Sequence, residues 1–533
     1  MKHGAMTITH KSESDKDSST PVRTGSIWAL LTRNTVFNLL GRILPMGIAV
    51  VCIPVVVDGL GTEPFGVLTL AWMVVGYFGI FDLGVGRATT QFVARAIENN
   101  RQGDLPTVVW TSLMMLIVQG IIGAIAVAAA VPWLVKDVFT IPAGLLDEAE
   151  RSFMALALSM PFIIGASGGR GVLEGHNRFG LVNAIRIPAS TFNFVSPVVV
   201  LLFSQSLFYV VLVLAIGRAA VFIAFTIAAI KSLGRDWRPR TPRGALAKEL
   251  LGYGGWITVT NMVGALMSFG YIDRFVVSSR LDMSAVAYYS TPFEMVTKLL
   301  FLPAALVMSL FPLFAACGME RLNDLRDLMR RSLKALMVIV APIVILVVAF
   351  AGPGIDLWLG AEFRIESTLL LQLMAVGILM LALGTIPSGA IQAVGRPDLT
   401  AKRHIVELPL YAVASWWAAG AYGLTGVASV WLGYATVDVI VLWIISARLI
   451  DYDRSIVNRD NGWLLFSVIV VTGLAFGLTA IPGIVLRSTA VLVTLVLVTT
   501  GFWRGLMTDA DRAGFIRLLG RLNRRRSESG VEV

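Results

Sequence analysis

Charge is scarce in this chain. Of its 533 residues only 15% are Asp, Glu, Lys or Arg, against about 25% in soluble proteins. With 56% hydrophobic residues beside it, that share excludes a soluble enzyme of this size. Cysteine is nearly missing. Cys52 and Cys317 lie in or at apolar segments, where they read as small core hydrophobes, and they provide neither a disulfide framework nor a CxxC metal motif. The four histidines, His3, His10, His176 and His404, are scattered without the i, i+4 spacing of a helical metal site. No GxxxxGK[ST] loop occurs, so the chain does not bind ATP in the P-loop manner, and any transport must be secondary or facilitated. A membrane enzyme would need a sizeable outer loop with catalytic groups. The largest such loop, around "KDVFTIPAGLLDEAE", is 15 residues long and has no paired-carboxylate geometry, so a non-enzyme is expected.

What the chain has in quantity is apolar runs of about 20 residues, each long enough at ~1.5 Å per residue to cross a ~30 Å hydrocarbon core. Barrel strands would instead be ~10 residues of strict alternation. Fourteen spans are expected, at 35–57, 65–86, 106–134, 152–172, 181–204, 207–231, 252–278, 286–316, 334–352, 368–390, 404–421, 425–448, 463–482 and 488–506. The fold class is an all-α polytopic membrane protein.

The net charge of +10 raises the question of nucleic acid, but the apolar spans offer a plainer account: Lys and Arg gather in cytoplasmic loops, against anionic lipid headgroups. Between spans 6 and 7 lie Lys231, Arg235, Arg238, Arg240, Arg243 and Lys248, and between spans 8 and 9 lie Arg321, Arg326, Arg330, Arg331 and Lys334. The opposite loops hold only Lys136, Arg151, Arg280, Arg364 and Arg487. Both termini are therefore expected in the cytoplasm, and the C-terminal run Arg517, Arg521, Arg524, Arg525 and Arg526 agrees. The first 26 residues are polar, without the apolar core of a cleavable signal peptide.

A weak internal repeat is visible. The turns "LEGHNRFG" and "IQAVGRPD" place Arg178 and Arg396 218 residues apart, and the loops "VVDGLGTEPFGVLTLA" and "VVSSRLDMSAVAYYSTP" are separated by about as much. Six spans per half give both halves the same orientation, about an axis along the membrane normal. The expected organisation is a disordered cytoplasmic tail (1–34), a six-helix bundle (35–231), a cytoplasmic linker (232–251), a second six-helix bundle (252–449), two extra helices (450–506) and a basic cytoplasmic tail (507–533).

Charges inside apolar spans cost ~2.5–3.5 kcal/mol or more each, so they face a bundle interior or a water-filled cavity and are candidates for function. They are Arg42, Asp82, Arg186, Arg218, the neighbours Asp273 and Arg274, and the i, i+4 pair Glu294 and Lys298. Arg42 and Arg186 are close enough to a span end to snorkel, whereas Arg218 and Lys298 sit near the midplane. Asp273 and Arg274 point about 100° apart on a helix, so each needs another partner. Asp82 could pair with Arg87, as a gate or as a plain helix-end contact. Glu294 and Lys298 have the order that pairs best along a helix, and a purely structural ion pair is the alternative to a functional one. Prolines at 45, 54, 161, 188, 197, 303 and 312 add kinks that shape a central site or serve packing alone.

The stretch from Thr35 to Arg95, with "GLGTEPFGVLTLA" after the first helix and "GIFDLGVGRATTQFVAR" closing the second, resembles the Wzx-type polysaccharide flippases of the multidrug/oligosaccharidyl-lipid/polysaccharide (MOP) exporter superfamily. "GVLEGHNRFG", "YIDRFVVSSRLDMSAVAYYS" and the span count look like the same family. The resemblance implies two six-helix bundles in a V around a central cavity, with two C-terminal helices beside them. It implies alternating access that carries an undecaprenyl-diphosphate-linked oligosaccharide from the cytoplasmic to the outer leaflet of a bacterial inner membrane, for O-antigen or exopolysaccharide synthesis. The substrate-binding candidates are then Arg42, Arg186, Arg218, Arg274 and Lys298. Asp82, Arg87, Asp273 and Glu294 are the candidates for a gate or for ion coupling. No cofactor or metal is implied, beyond a proton or Na⁺ gradient. Partners would be the lipid-linked oligosaccharide, membrane lipids, a polysaccharide polymerase and chain-length proteins, and no nucleic acid. A lipid II flippase is the first alternative and a multidrug or cation exporter the second, the latter disfavoured by the extra helix pair and by the sign of the cavity charge.

Overall fold

Helices follow from the composition, because a backbone crossing lipid must satisfy its own hydrogen bonds. A computed structural model describes residues 44–78, 82–234, 241, 243–252, 271–318, 321–450 and 454–505, and among these there is no strand. The first half contains α1 (Leu44–Leu60), α2 (Thr62–Phe78), α3 (Val85–Glu98), α4 (Leu105–Trp133), α5 (Leu146–Gly175), α6 (Phe179–Leu201) and α7 (Leu207–Ser232). The second contains α8 (Tyr271–Arg280), α9 (Met283–Thr297), α10 (Phe301–Cys317), α11 (Leu322–Leu359), α12 (Ala361–Ala393) and α13 (Pro397–Leu449). Two more helices follow, α14 (Arg454–Thr479) and α15 (Ile484–Gly505). Nine helices among the described residues are long and apolar enough to cross a membrane, and the 53-residue α13 makes two passes about a corner at Gly423, whose φ is 59°. Most of the expected span at 252–278 lies outside the described residues.

The halves repeat each other in detail. Asn177 (φ 58°) and Gly395 (φ 86°) occupy the same left-handed turn position, 218 residues apart. In both turns the next residue's amide closes the helix behind it, from Arg178 to the Leu173 carbonyl and from Arg396 to the Ile391 carbonyl. The second helix of each half is also broken at matching depth. In the first half the break is the turn at Asp82, Leu83 and Gly84, and in the second it is the 3₁₀ turn Lys298–Leu300. Pro303 explains the latter, since it offers no amide to the carbonyl one turn back.

Two expectations need correction here. Span 2 does not run to residue 86: α2 ends at Phe78 and Asp82 lies in the turn before α3. That third helix was not anticipated. It is amphipathic, burying Val85, Ala88, Val93 and Ala96 while Arg87 and Arg95 stay exposed. Spans 11 and 12 are not joined by a loop but by the single-residue corner at Gly423, and the first of them starts at Pro397, seven residues before the expected 404.

Helices α2 to α7 pack on one another, as do α8 to α13, while α14 and α15 lie against α11. The two halves meet at the end away from the basic loops. There α2 lies against α9, the Thr140 amide donates to the Ser278 carbonyl at 2.8 Å, and Phe139 meets Phe275 edge to face at 6.1 Å. Trp358 Nε1 donates to the Val50 carbonyl at 2.6 Å across the same end.

Candidate functional site

The 100° divergence expected of Asp273 and Arg274 is resolved by two different sets of partners. Both are buried, with relative exposures of 0% and 4%. Asp273 accepts hydrogen bonds from Tyr289 on α9 (2.7 Å) and from Tyr411 on α13, which ties α8 to both neighbours. Arg274 turns the other way. Its Nη2 donates to Glu294 Oε1 at 2.6 Å, and its guanidinium lies 5.7 Å from the Phe293 ring centre. Lys298 donates to the other Glu294 oxygen at 2.7 Å, which realises the i, i+4 pairing.

One carboxylate therefore holds two cations. Glu294 and Lys298 are about half exposed, with side-chain values of 48% and 50%, at the junction of α9 and the 3₁₀ turn that follows it. Charged groups inside a span are tolerated where the space is polar. The Arg274 Nε is buried without an acceptor.

Arg218 lies on α7 in the other half, half-buried, and makes no ion pair among the described residues. Arg186 donates to Asn183 Oδ1 at 2.9 Å on its own helix, α6. Arg42 falls outside the described residues. Asp82 and Arg87 do not form a salt bridge. Instead Asp82 Oδ1 accepts from the Gly84 amide at 2.7 Å and holds the turn before α3, near Ser167 and Arg170 of α5. The structure thus joins Arg274, Glu294 and Lys298 directly, and keeps Arg218, Arg186 and Asp82 separate from them.

A second buried charge cluster went unread in the sequence. Arg403 Nη1 lies 2.5 Å from Asp438 Oδ1, and its Nε lies 3.5 Å from Glu407 Oε2. His404 Nδ1 is also 3.5 Å from Glu407 Oε2. Arg403 was missed because the helix starts seven residues earlier than its apolar run, and Glu407 and Asp438 because each is one acid inside an expected span, the latter within "ATVDVIVLW". That lone acid in an apolar span was the available signal.

A helical bundle built in two halves, with charged side chains inside its spans, is a build found in solved membrane transporters. Solved structures agree on the fold. An inward-facing multidrug resistance MATE family transporter aligns with a TM-score of 0.64 at 16% identity, covering 78% of this chain and 98% of that one. The lipid II flippase MurJ, in an inward closed conformation, aligns with a TM-score of 0.65 at 12% identity, covering 90% and 100%. At the level of sequence, the family model described as "Polysaccharide biosynthesis protein" matches residues 60–368. A Shigella flexneri protein named "Putative O-antigen transporter" is 30% identical over 434 residues, covering 80% of this chain and all of that one. The chain belongs to this polysaccharide biosynthesis family.

Proposed function

We propose that the protein is a flippase for a lipid-diphosphate-linked oligosaccharide, moving it from the cytoplasmic to the outer leaflet of a bacterial inner membrane by alternating access between its two halves. The basic-loop end faces the cytoplasm in this reading, as do both termini. The observation that carries it is the charge balance of the site. Among the described residues, Asp273 is held by two tyrosines, Arg274 and Lys298 share the one carboxylate of Glu294, and Arg218 of the other half makes no ion pair.

An anion supplies the missing charge, and a diphosphate suits it: Arg grips phosphate oxygens through two parallel N–H bonds while Lys acts as a mobile point charge. A cargo cation would demand the opposite sign. The match to a family of polysaccharide biosynthesis and to a relative named for O-antigen transport supports a glycan carried on lipid. If a proton or Na⁺ gradient drives the cycle, Asp273 and Glu294 are the acids placed to respond, and Asn or Gln there should abolish dependence on the gradient.

The test is the surface polysaccharide of a host strain, together with flipping by purified protein in vesicles. Arg218→Ala and Arg274→Ala should stop export at normal expression and membrane insertion, and Arg274→Lys should restore it in part. Normal export by the Arg218→Ala, Arg274→Ala and Lys298→Ala variants would overturn the reading.

A further inference from the structure

We infer that a cavity where α11, α12 and α15 meet, at the end away from the basic loops, binds the phosphate of an anionic phospholipid. The cavity has a volume of about 400 Å³, within the range of small-ligand sites. Arg364 of α12 and Arg487 of α15 both line it, with Thr368, Gln372 and Thr479 as further polar walls. No acid is among the described residues that line it. None of these groups belongs to the cluster around Glu294.

Arg487 is fixed in place without being neutralised. Its Nε, Nη1 and Nη2 donate to the carbonyls of Ile481, Ala349 and Thr479, and it makes no ion pair among the described residues. One Nη1 hydrogen is left over. Arg364 gives Nη1 to Asp356 at 3.2 Å, while its Nε and Nη2 have no partner among the described residues, and its side chain is 57% exposed. Two guanidinium groups and one carboxylate leave a single positive charge. A phosphodiester is a monoanion and balances it, with its oxygens suited to the guanidinium fork. A lipid-linked diphosphate is at least a dianion and would leave the cavity negative.

The depth of the cavity fits a headgroup. Arg364 is four residues past the Gly360 corner and Arg487 four past Gly483, so at ~1.5 Å per residue both lie about 6 Å in from the turns at that end. The rim is apolar: Ile365 and Ile484 line the cavity and are exposed, as are Leu357 and Leu369 on the same two helices, α11 and α12. Acyl chains cover such a rim, and this favours a lipid over free phosphate as the occupant. The assignment does not depend on what the protein transports.

Full-length protein purified in detergent and stripped of lipid is titrated with dioleoylphosphatidylglycerol, and bound lipids are counted by native mass spectrometry. One tightly held lipid per chain is expected, with dioleoylphosphatidylcholine, farnesyl diphosphate and inorganic phosphate each at least tenfold weaker. Arg364→Gln should weaken the tight binding at least tenfold. Gly352→Leu should do the same by filling the cavity, since a Cβ at Gly352 meets only Thr368, at 3.5 Å. Arg330→Gln, toward the opposite end of α11, should leave it unchanged. Should Gly352→Leu fail to fold, Arg364→Gln decides. Unchanged binding by Arg364→Gln or by folded Gly352→Leu, equal affinity for phosphatidylcholine, tighter binding of farnesyl diphosphate, or saturation by inorganic phosphate alone would each overturn the assignment.

Discussion

Gly66 of α2 and Met283 at the start of α9 meet backbone to backbone: a methyl group on Gly66 would lie 1.9 Å from the Met283 carbonyl oxygen. No side chain fits there without parting the two halves where they touch. The same seam holds the Thr140–Ser278 hydrogen bond. Gly66→Leu should therefore favour the form open at this end. In a variant with Cys52 and Cys317 replaced by Ala, Ser278→Cys, buried at 0% exposure, should become reactive to a membrane-impermeant maleimide only when Gly66→Leu is present. Continued protection would refute the seam as the closing surface.

The two cations on Glu294 differ in burial, and so should their variants. Glu294→Gln leaves the Arg274 charge buried at 5% side-chain exposure without a counter-charge, which costs about 3–5 kcal/mol. Lys298→Ala removes a half-exposed partner and should cost about 0–1 kcal/mol. Denaturation of the purified variants measures both. Equal losses would show that Arg274 does not depend on Glu294.

Tyr411→Phe removes one of two donors to a fully buried carboxylate, with an expected loss of about 1–3 kcal/mol. Tyr289→Phe should lose a similar amount, and the pair should lose less than the sum in Asp273→Ala, where no acceptor remains. Additive losses in that background would argue that the tyrosines act independently of Asp273.

One polar contact ties the last two helices to α11 beside their apolar packing. Arg487, in the first turn of α15, donates to the carbonyls of Thr479, Ile481 and, on α11, Ala349. Val471, Ala475, Leu478, Val491 and Val498 are buried by the packing of this pair. Arg487→Ala should lower stability by about 1–3 kcal/mol and loosen the pair, read as faster proteolysis of α14 and α15 with the rest intact. Removing residues 454–533 should leave a folded core that handles long-tailed substrates poorly. Full transport by that truncation would show that the pair has no part in handling the lipid-linked substrate.

Reporter fusions in the 232–250 and 318–333 regions should report the cytoplasm, and fusions at 58–64 and 135–145 the outside. One basic loop labelled from outside in intact cells would break this orientation.

Local rules in the sequence were strong wherever one segment decides the outcome. The i, i+4 pairing of Glu294 with Lys298 and the divergence of Asp273 from Arg274 follow from helix geometry alone. The partners of Asp273 do not, because Tyr411 is 138 residues away and a tyrosine in an apolar run carries no sign of its target. Apolar runs also locate helix middles better than ends. Lipid sets the length of the run, while α13 extends below it through Asp398 and Lys402, and this is why Arg403 fell outside the expected span. The break at Asp82 was hidden for a related reason: Leu83 takes a φ of 47° that its residue type does not announce.

At the end away from the basic loops the connections are little more than corners. Gly61 joins α1 to α2, Leu281 and Asp282 join α8 to α9, Gly360 joins α11 to α12, and Gly423 turns α13 back on itself. Residues 202–206 and 480–483 are short connections there as well, and residues 134–145 make the longest excursion among the described residues. Among the described residues such a face has a nearly level profile with no overhanging domain, which in the proposed orientation leaves a clear exit for a bulky hydrophilic cargo. Its longest strip of chain open to antibodies or proteases is 134–145.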